Sequence, residues 1–180
     1  MTTIDLTFAS IRELGKLIRA GAVSPVELAE HFLQRLDTIG RSLNAVVTLT
    51  SDLALEQARL AEEELSAGVD RGPLHGIPYG AKDLLAVPWY PTTWGAAPFA
   101  DRHIDAEATV ITRLREAGAV LVAKLAMVEL AGGFGYEQPN AALTGPGRNG
   151  WDPDSWAGGS SSGSGAAVAS GCVPFALGTE

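Results

Sequence analysis

Several kinds of residue are scarce in this sequence, and each scarcity closes off a class of protein. One cysteine, Cys172, stands among 180 residues, so an internal disulfide framework is excluded and a reducing compartment fits. Thirteen lysines and arginines face 21 aspartates and glutamates, a formal charge of −8. Gripping phosphate backbones takes clustered basic side chains, so no direct contact with nucleic acid is expected. Uninterrupted apolar runs never approach the roughly 18 residues that span a bilayer, and no membrane attachment is expected. The opening Met-Thr-Thr-Ile-Asp-Leu-Thr-Phe has neither a basic stretch nor a long apolar one. No signal peptide is read there, and a cytoplasmic location is the expectation. Gly at 21 and Pro at 10 are too few for low complexity, while 46% apolar residues suffice to bury a core. The length suits about one domain.

The N-terminal third is patterned for helices. Ile11, Leu14, Leu17 and Ile18 recur at helical spacing before Gly21. Ser24-Pro25-Val26-Glu27 carries two start signals: a serine that caps with its glutamate partner, and proline at the first helical position. Leu28, Phe32 and Leu36 give that helix its buried stripe. Residues 44–49 are rich in β-formers and predict a strand, and 51–67 an Ala/Leu/Glu-rich helix ended by Gly68. Further on, residues 106–117 predict an amphipathic helix, Gly118 a turn and 119–124 a buried strand. Helix, glycine turn and apolar strand form the pattern of an α/β layer with a parallel element. Residues 132–156 are rich in Gly, Pro and Asn without a period; a loop of that length in a compact domain points to function. A small-residue helix over about 166–170 and a strand over 173–180 close the chain.

The block Gly158-Gly159-Ser160-Ser161-Ser162-Gly163-Ser164-Gly165 admits several readings. As a flexible linker it would leave the well-patterned residues 166–177 hanging from its end. As a phosphate cradle it lacks the lysine of the nucleotide-binding loop. As a nucleophile elbow, Gly159-Ser160-Ser161-Ser162-Gly163 fits G-x-S-x-G with Ser161 central. The elbow needs a strand just before it, though, and its histidine after the serine; here His31, His75 and His103 all lie upstream. Gly145-Pro146-Gly147-Arg148-Asn149-Gly150 matches a dinucleotide fingerprint in letters only, since it follows no strand and opens no helix.

The fourth reading takes the whole chain. The run from Gly158 to Gly171, followed by Pro174, Ala176, Gly178 and Thr179, resembles the signature of the amidase signature family. His75-Gly76-Ile77-Pro78 leading to Lys82-Asp83 is similar to the family's lysine segment, and Pro91-Thr92-Thr93-Trp94-Gly95 to the loop after it. Residues 119–124 resemble the strand before the family's middle loop, and Asn149-Gly150-Trp151-Asp152-Pro153 that loop's exit. The resemblance implies an α/β fold with a mixed, mostly parallel sheet covered by helices, here in its N-terminal portion. Residues 1–70 would form a mainly helical region, and 71–180 the start of the catalytic core.

It also implies a Ser–Ser–Lys hydrolase with no cofactor and no metal. Lys82 matches the base and Ser160 the bridging serine beside a cis peptide bond, with Ser161, Gly158 and Gly159 supporting them. The chemistry is physically sensible: a serine hydroxyl is a weak nucleophile until a base takes its proton. Lysine serves as that base once burial disfavours its ammonium form, and residues 77–81 are apolar enough to bury it. The family's nucleophilic serine lies in a turn a few residues past Glu180, so these 180 residues alone are expected to be inactive. The expected substrate is a small-molecule amide, cleaved through an acyl-enzyme by an enzyme compatible with a homodimer. The alternative is the A subunit of a glutamine-dependent aspartyl/glutamyl-tRNA amidotransferase, working with partner subunits. Ala126-Met127-Val128-Glu129-Leu130-Ala131 departs from the Asn-Met-x-Glu-Phe-Ala pattern associated with that amidotransferase, which favours the amidase. Cys172 and His75 are read as structural; Phe134 and Tyr136 are candidates for lining a substrate channel, although an aromatic in a loop more often simply packs.

Overall fold

A computed structural model of the chain describes residues 5–132 and 137–180, so Phe134 and Tyr136 lie outside the described residues. Helices α1 (Ile11–Arg19) and α2 (Pro25–Arg35) begin with complete capping boxes, Ser10 with Glu13 and Ser24 with Glu27. Each box satisfies two otherwise orphaned donors. Strand β1 (Val46–Leu49), helix α3 (Ser51–Ser66), strand β2 (Pro78–Lys82), helix α4 (Thr109–Glu116) and strand β3 (Val120–Leu125) follow. Helix α5 (Ser162–Ala169) and strand β4 (Ala176–Leu177) complete the chain. The sheet has the order β1-β3-β2-β4; β2 runs parallel to both β3 and β4, and β1 antiparallel to β3. It is therefore an α/β fold with a mixed, mostly parallel sheet. Among the described residues no helix is long and apolar enough to cross a membrane.

Every residue of β2 and β3 is buried, as expected of strands covered on both faces. One face packs Val120 and Val122 against Leu33, Ala54, Ala58 and Ala166 from α2, α3 and α5. The other packs Tyr79, Ala81 and Leu121 against Ile111 of α4 and Val87. Cys172 sits in the first cluster, fully buried. The turn between α4 and β3 needs Gly118: its φ is +77°, and a Cβ there would lie 2.3 Å from the buried His75 ring. The peptide group of Leu121 is taken up by side chains. Thr50 Oγ1 donates to its carbonyl at 2.7 Å, and its N–H donates to Gln57 Oε1 at 2.9 Å.

Two expectations need correction. Helix α5 starts at Ser162 rather than near 166, because packing overrides the poor helix propensity of Ser-Gly-Ser-Gly. Gly163 N–H donates to Ala126 O at 2.9 Å, and a Cβ on Gly163 would come within 2.4 Å of Ala126 N. The closing strand is two residues long instead of eight, since only Gly80↔Ala176 and Ala81↔Leu177 pair with β2.

Candidate active site

The C-terminal ends of β2 and β3 bring two buried lysines into different surroundings. Lys82 ends β2 and Lys124 lies on β3, both fully buried. Lys124 Nζ sits 2.6 Å from Asp83 Oδ1 and donates to Pro91 O at 2.9 Å and Thr92 Oγ1 at 3.2 Å. The other Asp83 oxygen accepts from Thr93 N–H at 3.0 Å and from the Thr93 hydroxyl. This ion pair pins residues 91–93 to the strand ends. Burial draws the Lys124 ammonium down against the pull of Asp83.

Lys82 points instead at hydroxyls. Its Nζ donates to Ser160 Oγ and to Thr179 Oγ1, each at 2.8 Å. Burial pulls its pKa below the ordinary lysine value, opposed by the carboxylate of Glu180. Ser160 comes from the turn before α5. The Gly159–Ser160 peptide bond is cis, and Gly158 has φ +85°. At Gly159 a Cβ would meet Val128 Cγ2 at 2.7 Å and Trp156 Cζ2 at 2.8 Å, so a side chain there would push the turn off its support. Val128 N–H donates to Ser160 O at 2.9 Å, tying Ser160 to the segment after β3.

Ser161 occupies the N-cap position of α5 but makes no side-chain cap hydrogen bond. Its Oγ accepts from Thr179 N–H at 3.1 Å and donates to Thr179 O at 3.3 Å. Three residues on, Ser164 Oγ donates to Leu177 O at 2.7 Å. The serine ladder thus stitches α5 to β4, and no strand leads into Ser161 as an elbow requires. The structure brings together Lys82, Ser160, Ser161, Gly158 and Gly159. It adds Thr179, Asp83 and Lys124, whose roles do not emerge from sequence alone. The Asp83–Lys124 pair does leave a readable trace: two charged residues, each closing an apolar strand pattern, need a partner once buried.

His75 lies far from this cluster in character. It is fully buried at the turn before β2, accepts from Arg71 N–H through Nδ1 at 3.1 Å and faces Glu64 with Nε2 at 3.0 Å. A cleft of about 970 Å³ between α3 and α4 is lined by Leu53, Leu60, Trp89, Glu107 and Arg115, among others, but by none of the residues around Lys82. The volume is large, and the Lys82–Ser160 contact lies outside it.

A family model described as Amidase matches residues 27–180. The A subunit of the glutamyl-tRNA(Gln) amidotransferase of Aromatoleum aromaticum is 42% identical over 172 residues, which make up 96% of this chain and 34% of that protein. An acylamidase of Rhodococcus erythropolis is 38% identical over 180 residues, covering 100% of this chain and 37% of its own length. Among solved structures, the native peptide amidase of Stenotrophomonas maltophilia matches with a TM-score of 0.89 at 34% identity, over 96% of this chain and 36% of that one. The chain spans about a third of the length of these relatives.

Proposed function

The chain belongs to the amidase family, and from that premise we propose that it carries the proton-relay half of an amide-bond hydrolase active site. On this reading it is the N-terminal part of one amidase signature domain. Residues 1–70 supply the mainly helical region, and 71–180 begin the catalytic core. The observation that supports it most is the fully buried Lys82 Nζ at 2.8 Å from Ser160 Oγ. Burial lowers the lysine pKa, which moves the balance towards the neutral amine whose lone pair a general base needs.

Neutral Lys82 takes the Ser160 proton, and Ser160 takes the proton of a nucleophilic serine that follows Glu180 in the whole enzyme. That serine attacks the amide carbonyl and forms a tetrahedral oxyanion. Collapse breaks the C–N bond as the proton returns along the relay to the leaving nitrogen, releasing an amine and leaving an acyl-enzyme. Water then repeats the route: its proton passes to Lys82, its oxygen attacks the ester, and the carboxylic acid departs as the serine is reprotonated. Ser161, Gly158 and Gly159 hold Ser160 in line. The substrate class is a small-molecule amide.

Replacing Lys82 by alanine in the whole enzyme should cut turnover by about 10²–10⁴, the usual contribution of a general base, with circular dichroism unchanged. Ser161→Ala should be far milder. An active Lys82→Ala enzyme with a dead Ser161→Ala enzyme would instead make Ser161 the nucleophile. The similarity to the A subunit of an amidotransferase favours a second reading, in which the same relay releases ammonia from glutamine for partner subunits. Glutamine turnover that rises when candidate partner subunits are added would select it.

A further inference from the structure

Lys82 has two hydroxyl partners at the same distance, and the relay uses only one of them. A neutral primary amine carries one lone pair and two N–H bonds. If the lone pair faces the Ser160 hydroxyl, an N–H must be anchored elsewhere, or rotation about the terminal C–N bond spreads the lone pair over three directions. Thr179 Oγ1, at 2.8 Å, is an acceptor for that N–H. Thr179 is itself held on both sides of its backbone by one side chain, because Ser161 Oγ accepts from its N–H and donates to its carbonyl. Gly178 lets the two approach, since a Cβ there would sit 3.0 Å from Ser161 Oγ. The parallel pairing Ala81↔Leu177 sets the register that puts Thr179 beside Lys82.

We propose that Thr179 is a positioning residue that aims the Lys82 lone pair at Ser160, and that Ser161 is the latch fixing Thr179 in place. The inference rests on the relay reading and adds to it a residue with its own signature. The Thr179 hydroxyl accepts a stronger hydrogen bond from the ammonium than from the neutral amine. Its removal therefore disfavours the protonated lysine while freeing the lone pair to turn away. Glu180 is the charged neighbour that acts on Lys82 and would remain.

The test is the pH profile of kcat/KM for the whole enzyme carrying Thr179→Val, Thr179→Ser and Ser161→Ala. Thr179→Val should lower the plateau about 10- to 100-fold and move the acid limb to lower pH by about half to one unit, as expected for one lost hydrogen bond to a charged group. Thr179→Ser should recover most of both effects. Ser161→Ala should move the limb the same way, and combining it with Thr179→Val should add little, because both break one latch. A Thr179→Val enzyme with an unmoved limb, or one that serine fails to rescue, overturns the proposal whatever its plateau. Should Thr179→Val fail to fold, the limb of Ser161→Ala decides alone. A Lys82→Ala control separates the levels: if it is inactive while Thr179→Val matches wild type, the latch fails and the relay stands. If Lys82→Ala is active, the relay itself falls.

Discussion

Replacing Asp83 by asparagine would keep the side-chain shape and leave the Lys124 ammonium in a dry interior without its counter-charge. Both groups are fully buried and 2.6 Å apart. Breaking such a pair by removing one partner typically costs about 3–5 kcal/mol, whereas replacing both is close to neutral. An independent ceiling comes from titration. Lys124 escapes the penalty by losing its proton, and doing so at pH 7 from an ordinary value of 10.5 costs about 5 kcal/mol. The two figures agree. With a urea slope of about 2–3 kcal/mol/M, the unfolding midpoint of the whole protein should fall by about 1–2 M. The deficit should also shrink between pH 7 and 10. A lysine whose folded pKa is depressed makes the unfolded state bind more protons in that window, so stability rises with pH. The double variant Asp83→Asn/Lys124→Met should recover most of the loss. A midpoint shift below about 0.3 M for Asp83→Asn, or a double variant worse than the single, would refute the assignment of a buried charged pair.

Three further outcomes follow from the same geometry. His75 is held neutral by burial and by an Nδ1 that must accept from Arg71 N–H, so its folded pKa lies below its ordinary 6.5. Stability should therefore be full above pH 6.5 and fall as pH drops below it, and His75→Gln should flatten that slope in urea melts at pH 5–7. Gly163→Ala would force a Cβ to 2.4 Å from Ala126 N, backbone that cannot yield cheaply; thermal melts should show a loss of about 2 kcal/mol or more. The 180 residues alone should hydrolyse no amide and take no fluorophosphonate label at Ser160 or Ser161, since the Ser160 hydroxyl is engaged with Lys82 and the Ser161 hydroxyl with the Thr179 backbone; stoichiometric labelling seen by mass spectrometry would contradict that.

Local chemistry determined a good deal by itself. The Ser24 capping box, the α3 helix up to Ser66 and the α4–Gly118–β3 unit all follow from interactions within a few residues, where sequence spacing is spatial spacing. Lys82 and Ser160 are legible only through the likeness of two separate motifs to a known family. Nothing in composition or periodicity brings residues 78 positions apart to 2.8 Å. The extent of α5 escapes a sequence reading because its serines and glycines are poor helix formers, stabilised by Ala126 and Leu177 from other elements. Thr179 escapes it for a related reason, and the trace left by Asp83 and Lys124 does not say that the two meet. A hydroxyl acquires a role when strand register sets it beside an amine, and a charge acquires a cost when both faces of its strand are covered. The sequence determined which groups were available; the parallel pairing of β2 with β3 and β4 decided which of them met, because hydrogen bonding and desolvation act over ångströms of space and not along the chain.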